Sequence, residues 1–538
     1  MRLFILLAIG ALVACAPALR VSAGGPYDVL IAGGTVVDGS GTPGYRADVA
    51  LRGDRIVRIS QTSIPRSAAA RVVDASGKVV APGFIDLHAH LDPLLRLPGA
   101  ESHIRQGVTT ALGGPDGSAP WPLADYLRQA EELGVGMNVA YLVGHNTIRR
   151  EVMGMADRAP TPDELRRMEA LVAQGMAEGA SGLSTGLKYL PGAFSRTDEV
   201  VALSRVAAAA GGIYTSHLRE EGLGLLESVA EAIEIGREAG IPVVLTHHKV
   251  VGQPMWGASR RTLAMVDSAR AAGIDVMIDQ YPYTATSTGI GVLVPTWAMG
   301  DGNEGFAARL ENPVLRDSII REIAYNIRTD RGGGDLRRVQ FAQVAWAPEL
   351  EGRTLYDMAV MRGLEPTEEV GAELVIEAVQ RGGARAIFHV LDEEDVERIM
   401  RHPQTMIASD GRLTQPGEGH PHPRWYGSFP KVLGEYVRDR AVLTLESAVN
   451  KMTGMPAARL GLPERGLLRE GWMADVVVFD PATVADRATF DDPHQYPAGI
   501  EHVFVNGVVM VDGGRYTDQR PGRVLRHSPQ ARATEGVR

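Results

Sequence analysis

The sequence predicts an α/β protein built on a TIM (β/α)8 barrel, flanked by a small β-sandwich to which both ends of the chain contribute. Two observations carry this. Residues 82–465 repeat a rhythm of short apolar strand, polar loop and amphipathic helix, the pattern of βα units around a parallel sheet. Residues 27–81 and 466–516 instead hold short β-rich runs broken by Gly and Asp, the pattern of small antiparallel strands.

At the N-terminus, Met1-Arg2 precedes an apolar run from Leu3 to Val13 that is too short to span a bilayer. It predicts a signal peptide over residues 1–23, and so export. Cys15, the only cysteine, follows Leu12-Val13-Ala14 in a lipobox-like setting, which favours a lipoprotein signal with Cys15 as the lipidation site. A cut after Val21-Ser22-Ala23 is the other reading, with Cys15 lost in the cleaved segment. Both place the protein outside the cytoplasm of a bacterium, either free in the periplasm or membrane-anchored through the lipid alone. With no second cysteine the mature chain forms no disulfide, so its stability rests on the core that 538 residues can bury.

The first sandwich half covers runs at 28–31, 35–38, 48–51, 55–59 and 71–74. Its counterpart is Asp475-Val-Val-Val-Phe479 and the segment 502–511, where Asn506-Gly507 signals a hairpin turn. Between them, eight strands end in polar residues: 84–90, 108–113, 137–145, 182–188, 213–219, 243–249, 276–283 and 406–410. Eight is the barrel number. In one unit, Leu226, Val229, Ala230 and Ile233 recur at helical spacing, Gly240 stops the helix, and residues 242–246 form a continuous apolar strand. Another helix begins at Thr161-Pro162-Asp163-Glu164, with a capping residue, a first-turn proline and a capping-box glutamate. Residues 284–384 do not fit the rhythm and read as an insertion of the kind that covers barrel active sites. Residues 520–538 lack periodicity and read as a disordered tail.

Composition is ordinary for a globular chain, 45% apolar and 22% charged, and the net charge of −10 is interspersed. That excludes the basic footprint of a nucleic-acid binder and points to a small-molecule partner.

His88 and His90 stand two apart on strand one and so face one way, as two ligands of one metal must. On its own such a pair is equally a hydrogen-bonded core pair. Strand five, however, ends Ser216-His217-Leu218-Arg219, strand six Thr246-His247-His248-Lys249, and strand eight Ala408-Ser409-Asp410. Imidazoles and a carboxylate therefore gather at the C-terminal mouth, where these barrels place catalysis, and suit one or two Zn²⁺ ions. Alternation favours His247 over His248 as the inward residue, because His247 shares a face with Lys249. His145 matches no ligand position and reads as a loop hydrogen-bonding residue. Asp410 is placed to take the proton of a metal-activated water and return it to a leaving amine.

These motifs together resemble the amidohydrolase superfamily, and their wording is similar to the D-aminoacylase (N-acyl-D-amino-acid deacylase) family. The segments are Ala81-Pro-Gly-Phe-Ile-Asp-Leu-His-Ala-His90, Gly182-Leu-Ser-Thr-Gly-Leu187, Thr215-Ser-His-Leu-Arg-Glu220, Thr246-His-His-Lys249, Tyr281-Pro-Tyr283, Ser409-Asp-Gly411 and His422-Pro-Arg424. The resemblance implies His217 and His247 as the tight metal ligands, with His88 and His90 framing a second or weaker site. It implies that Lys249 and Arg424 hold the substrate α-carboxylate, which their chemistry allows, and that Tyr281 helps polarise the scissile carbonyl. The chain departs from the pattern where many D-aminoacylases have a metal-binding cysteine after strand two: Gly113-Gly-Pro-Asp116-Gly offers Asp116 instead. Lys188, at the end of strand four, is a further candidate ligand, because related amidohydrolases carry a carboxylated lysine there. The two are not exclusive, and each has a plainer reading, as a turn aspartate and a salt-bridged lysine.

The expected reaction is zinc-dependent hydrolysis of the amide bond of N-acyl-D-amino acids. The alternatives are another amidohydrolase activity, such as a dipeptidase or cyclic-amide hydrolase, and a metal- or peptide-binding lipoprotein without catalysis, against which Asp410 speaks.

Overall fold

A computed structural model describes residues 25–528. Residues 1–24, where the signal peptide and lipidation at Cys15 are expected, and residues 529–538 lie outside the described residues. Among the described residues no helix is long and apolar enough to cross a membrane.

The barrel closes through its hydrogen bonds. Strand one (Phe84–Asp86) pairs in parallel with strand two (Val108–Gly113), and strand two with the first part of strand three (Asn138–Tyr141). The ladder breaks at Leu142, and the second part of strand three (Val143–Gly144) pairs with strand four (Gly182–Gly186). Strands five (Ile213–His217), six (Val243–Leu245), seven (Val276–Gln280) and eight (Thr405–Ile407) follow in order. Past strand eight, Gly411 and Arg412 pair with Ala89 and His90, and the Asp410 N–H donates to the His88 carbonyl at 2.9 Å. Alternate strand residues go to separate cores. Ile85, Leu112, Ala140, Ile213, Val244 and Met406 form one cluster, while Phe84, Val108, Val139, Tyr214, Leu245 and Ile407 pack in the larger cluster with the helices.

The helix after strand five runs Leu225–Ala239 and ends at Gly240 in the left-handed conformation. Its buried stripe is Leu225, Val229, Ala232 and Gly236, so of the apolar residues picked out above only Val229 is fully buried and Ala230 is exposed. The capping box at Thr161 is present, with Pro162 opening the helix Pro162–Ala177.

The two chain ends interleave in one nine-stranded hydrogen-bonded system, in which Val79–Pro82 pairs antiparallel with Val476–Phe479. Tyr27–Val36 branches it, pairing with Ala69–Asp74 along its first part and with Val79–Pro82 along its second. Asn506 and Gly507 turn the hairpin with φ of 48° and 80°, the paired positive values of a type I′ turn.

Two limits differ from the sequence reading. The insertion runs past residue 384: Arg385–Phe388 is the central strand of its own sheet, between Thr286–Gly289 and Val339–Gln343, over a separate core that includes Phe306, Ile323, Phe341 and Phe388. The C-terminal segment is not a free tail over 520–528. Val139 N–H donates to the Arg523 carbonyl at 2.9 Å, Leu525 N–H to the Val139 carbonyl at 2.8 Å, and Arg523 pairs with Asp54 at 2.7 Å. The edge of strand three supplies partners that no local periodicity announces.

Candidate metal centre

Strand one stops at Asp86 and resumes at Ala89–His90. Asp86 holds the break: its Oδ1 accepts from the His88 N–H at 3.2 Å and the Ser409 N–H at 3.0 Å, and its Oδ2 takes the Ser409 hydroxyl. Burial lifts the Asp86 carboxyl to about 6 despite these donors. Strands one and eight are thereby tied together just where His88, His90 and Asp410 leave the wall.

His247 reaches the same space by a different device. Val244 belongs to the interior cluster, so strict alternation would turn His248 inward and His247 out. Strand six ends at Leu245, however, and His247 adopts a φ of 37°, its N–H donating to Asp279 Oδ1 at 2.6 Å. This turn brings His247 to within 2.7 Å of His217, ring nitrogen to ring nitrogen, and leaves His248 to bond Thr262 at 2.9 Å. The preference for His247 over His248 agrees with the geometry, but the cause is the turn and not the alternation.

Asp116 lies at the centre. Its Oδ1 is 3.3 Å from His247 Nε2, 3.4 Å from His88 Nε2 and 3.8 Å from His217 Nδ1, and its Oδ2 is 3.6 Å from His90 Nε2. Asp116 takes the left-handed conformation (φ 54°) that short polar side chains tolerate. Gly186 makes room for the loop, since a Cβ there would sit 2.2 Å from the Asp116 carbonyl. Two overlapping clusters share this carboxylate: His88, His90, Asp116 and Asp410, and Asp116, His217 and His247.

This donor set fits a divalent cation. Among the described residues neither ring nitrogen of His88 has a hydrogen-bond partner, nor has Asp116 Oδ1, and all three are buried. Orphaned buried polar atoms are costly unless something satisfies them, His88 Nε2 lies 3.4 Å from Asp116 Oδ1, and imidazole with carboxylate is a zinc ligand set. Burial works against charge on Asp116, yet His88 and His247 hold its carboxyl well below the usual range.

Around the cluster runs a ring of ion pairs. Glu221, buried, lies 3.3 Å from His247 Nδ1 and 3.6 Å from His217 Nε2, takes the Lys249 ammonium, and meets Arg331 of the insertion at 3.1 Å. Carboxylates behind metal-binding imidazoles orient the rings and raise their basicity. Asp410 Oδ1 is 3.1 Å from His90 Nε2, and its Oδ2 is 3.0 Å from Arg424. Burial opposes the charge on Asp410, but Arg424 and His88 keep it fully ionised. Tyr281 lies under Arg424, whose guanidinium carbon is 4.7 Å from the ring centroid, and its buried hydroxyl has no partner among the described residues. These side chains line a cavity of about 280 Å³ together with Tyr189, Ser287 and Arg385.

Lys188 is not brought there. Strand four ends at Gly186, so Lys188 stands in the following turn, its Nζ 2.8 and 2.9 Å from the two Glu220 oxygens, and it lines a neighbouring cleft. The plainer reading, a salt-bridged lysine, is what the geometry contains, and a carbamate bridge on Lys188 is corrected accordingly. Lys188→Ala is expected to leave metal content per protomer, measured by elemental analysis, equal to that of the parent. Tyr189 takes the place by the metal cluster, its ring 4.4 Å from that of His217. His145 bonds Glu199 at 2.8 Å, away from the pocket.

Several pocket groups escape the sequence reading. Asp279, behind the pocket, had a signal, a carboxylate on an otherwise apolar strand, and Glu221 a weaker one, four residues beyond His217. Arg331 and Arg385 come from the insertion, where no motif marks them.

A closed barrel with imidazoles and carboxylates converging at its C-terminal mouth defines a metal-dependent hydrolase. The comparisons with known proteins make this particular. Residues 71–290 and 309–511 match the amidohydrolase family. The chain is 41% identical over 527 residues to a D-aminoacylase of Alcaligenes xylosoxydans xylosoxydans, covering 93% of this chain and 98% of that one, and 40% identical over 525 residues to an N-acyl-D-glutamate deacylase of the same organism, covering 93% and 96%. Among solved structures, N-acyl-D-glutamate deacylase from Bordetella bronchiseptica, in complex with zinc and a phosphonate mimic of the tetrahedral intermediate, superposes with a TM-score of 0.79 at 36% identity, covering 93% of this chain and all of that one. The protein belongs to the amidohydrolase family, in its D-aminoacylase branch.

Proposed function

We propose that the protein is a zinc-dependent hydrolase of N-acyl-D-amino acids, releasing a carboxylic acid and a D-amino acid. The observation that carries this is Asp116 set among four imidazoles with Asp410 beside them, in a chain that aligns over 93% of its length with deacylases of this substrate type. His217, His247 and Asp116 would hold one ion, and His88, His90 and Asp116 a second or weaker one. Zinc so held would supply Lewis acidity and a water whose pKa falls from 15.7 to about 7, as in other zinc sites.

The remaining chemistry belongs to the chain. Asp410 is ionised and clamped by Arg424, so its Oδ1 accepts the proton of the attacking water and returns it to the amide nitrogen as the C–N bond breaks. Burial pushes the Tyr281 hydroxyl well above its ordinary pKa. It therefore stays protonated and donates to the scissile carbonyl oxygen as negative charge grows there. Lys249 and Arg424 keep donors beyond their protein partners, since the ammonium carries three N–H groups and Arg424 Nε has no acceptor. Together they take the α-carboxylate.

The test is amine release from paired N-acetyl-D- and N-acetyl-L-amino acids, with hydantoins and dipeptides alongside. Release confined to the D series is expected; turnover of hydantoins or dipeptides alone would refute the assignment. Chelation should abolish turnover, and added Zn²⁺ should restore it. Export with lipidation at Cys15 remains our reading of residues 1–23, and labelling with radioactive palmitate in cells, against Cys15→Ser, tests it.

A further inference from the structure

The metal pocket has a neighbour. Lys188, Glu220 and Asp330 line a second cleft, of about 460 Å³, while the residues that follow them, Tyr189, Glu221 and Arg331, line the metal pocket. Three pairs of consecutive residues thus face opposite ways, and the wall between the two spaces is a single layer of chain. At its rim stands half-buried Tyr189, whose hydroxyl accepts from the Thr288 hydroxyl at 3.1 Å.

The cleft is apolar where it is open. Leu223, Trp297 and Tyr325 are 47%, 37% and 50% exposed, and all three line it. Single exposed apolar residues need no explanation, but several converging on one concavity mark a binding groove. Its polar groups are answered within the chain. Lys188 pairs with Glu220 at 2.8 Å, the Trp297 indole N–H donates to Glu322 at 3.0 Å, the Asn326 amide donates to the Leu293 carbonyl at 2.9 Å, and Asp330 supports the charge of Arg331. Glu322 and Asn326 lie one turn apart on the helix Pro313–Thr329, so their bonds fix that helix against residues 290–299 and the groove stands preformed. With its charges already paired, the groove suits a hydrocarbon.

The orientation of the substrate says which hydrocarbon. Lys249, Tyr281 and Arg424, which take the α-carboxylate and the scissile carbonyl, follow strands six, seven and eight. Tyr189 follows strand four, across the barrel mouth, with its ring 4.4 Å from that of His217. An amide laid over the metal cluster with its carboxylate toward strands six to eight sends its acyl half toward Tyr189, and beyond that rim lies the cleft. We propose that the cleft receives the acyl chain, so that the preferred substrates are D-amino acids carrying a fatty acyl group long enough to cross the Tyr189 rim. This rests on the hydrolase reading above.

The zinc-loaded enzyme is to be assayed on the N-acetyl, N-butanoyl, N-octanoyl and N-dodecanoyl derivatives of D-methionine and of D-glutamate, each below its micellar concentration. In the parent enzyme, kcat/KM should rise by roughly three- to fourfold for each methylene that enters the cleft, and octanoyl should exceed butanoyl by roughly 10- to 100-fold. Leu223→Asp and Trp297→Asp, each placing a carboxylate in the groove at an exposed position, should bring that ratio toward one. A flat or falling series in the parent enzyme would overturn the proposal, and this comparison needs no variant to fold. A rise that survives both substitutions would put the chain elsewhere and overturn it too, as would a loss of equal size on every substrate. Absence of amine release from both series, acetyl compounds included, would sink the hydrolase reading itself and the proposal with it.

Discussion

Asp410→Asn is expected to lower kcat by about 10³- to 10⁴-fold while the protein keeps its metal, because the substitution removes a proton acceptor and little else. Asparagine has the same shape and can still accept from Arg424 through its carbonyl oxygen, so the contact that now spans 3.0 Å is weakened and not erased. Of the two clusters, the one built by Asp116, His217 and His247 does not use Asp410 at all. Metal content and kcat measured on one preparation decide the matter. Parent-like turnover would remove Asp410 from the chemistry, whereas parallel loss of metal and activity would make it a ligand first.

The second large effect is expected at Asp116. Its carboxylate is the only group common to both clusters and stands within 3.8 Å of a nitrogen of each of the four imidazoles. Asp116→Ala should therefore weaken zinc binding by more than the roughly 10- to 100-fold typical of an outer-shell partner, with turnover lost at limiting metal. Asp116→Cys should behave differently. A thiolate is a softer ligand, so this variant is expected to retain zinc and to discriminate more strongly against manganese than the parent. Equilibrium dialysis against each metal reads both outcomes, and an Asp116→Ala protein that binds zinc as tightly as the parent would show that the histidines suffice.

Arg424 illustrates how burial and pairing combine here. It is among the largest fully buried side chains, and it spends its charge on Asp410 and one N–H on the Ser287 carbonyl at 3.2 Å. Removing one partner of such a pair leaves an uncompensated buried charge, which costs more than an exposed pair would.

Much of this was legible in the order of residues. Periodicity of 3.6 and 2, glycine stops and the capping box at Thr161 are local, and local physics writes them into the sequence. The histidines of strands one and five, and Asp410 on strand eight, were legible because a barrel sends every strand end to one mouth, so position along a strand becomes position in space. Asp116 was legible only as a rival to Lys188.

Three things needed the folded chain. Tyr189 and not Lys188 stands beside the metal cluster because strand four ends two residues before the lysine, a boundary set by pairing with strand five and not by propensity. His247 faces the site through a positive φ held by Asp279 on the next strand, where alternation alone would have turned it outward. Arg331 and Arg385 reach the pocket from the insertion, more than 80 residues from the nearest metal-cluster histidine in the chain, and only packing of that separate core against the barrel brings them in. The type of protein follows from contacts a few residues apart. Which groups finish the site follows from contacts that only tertiary packing makes.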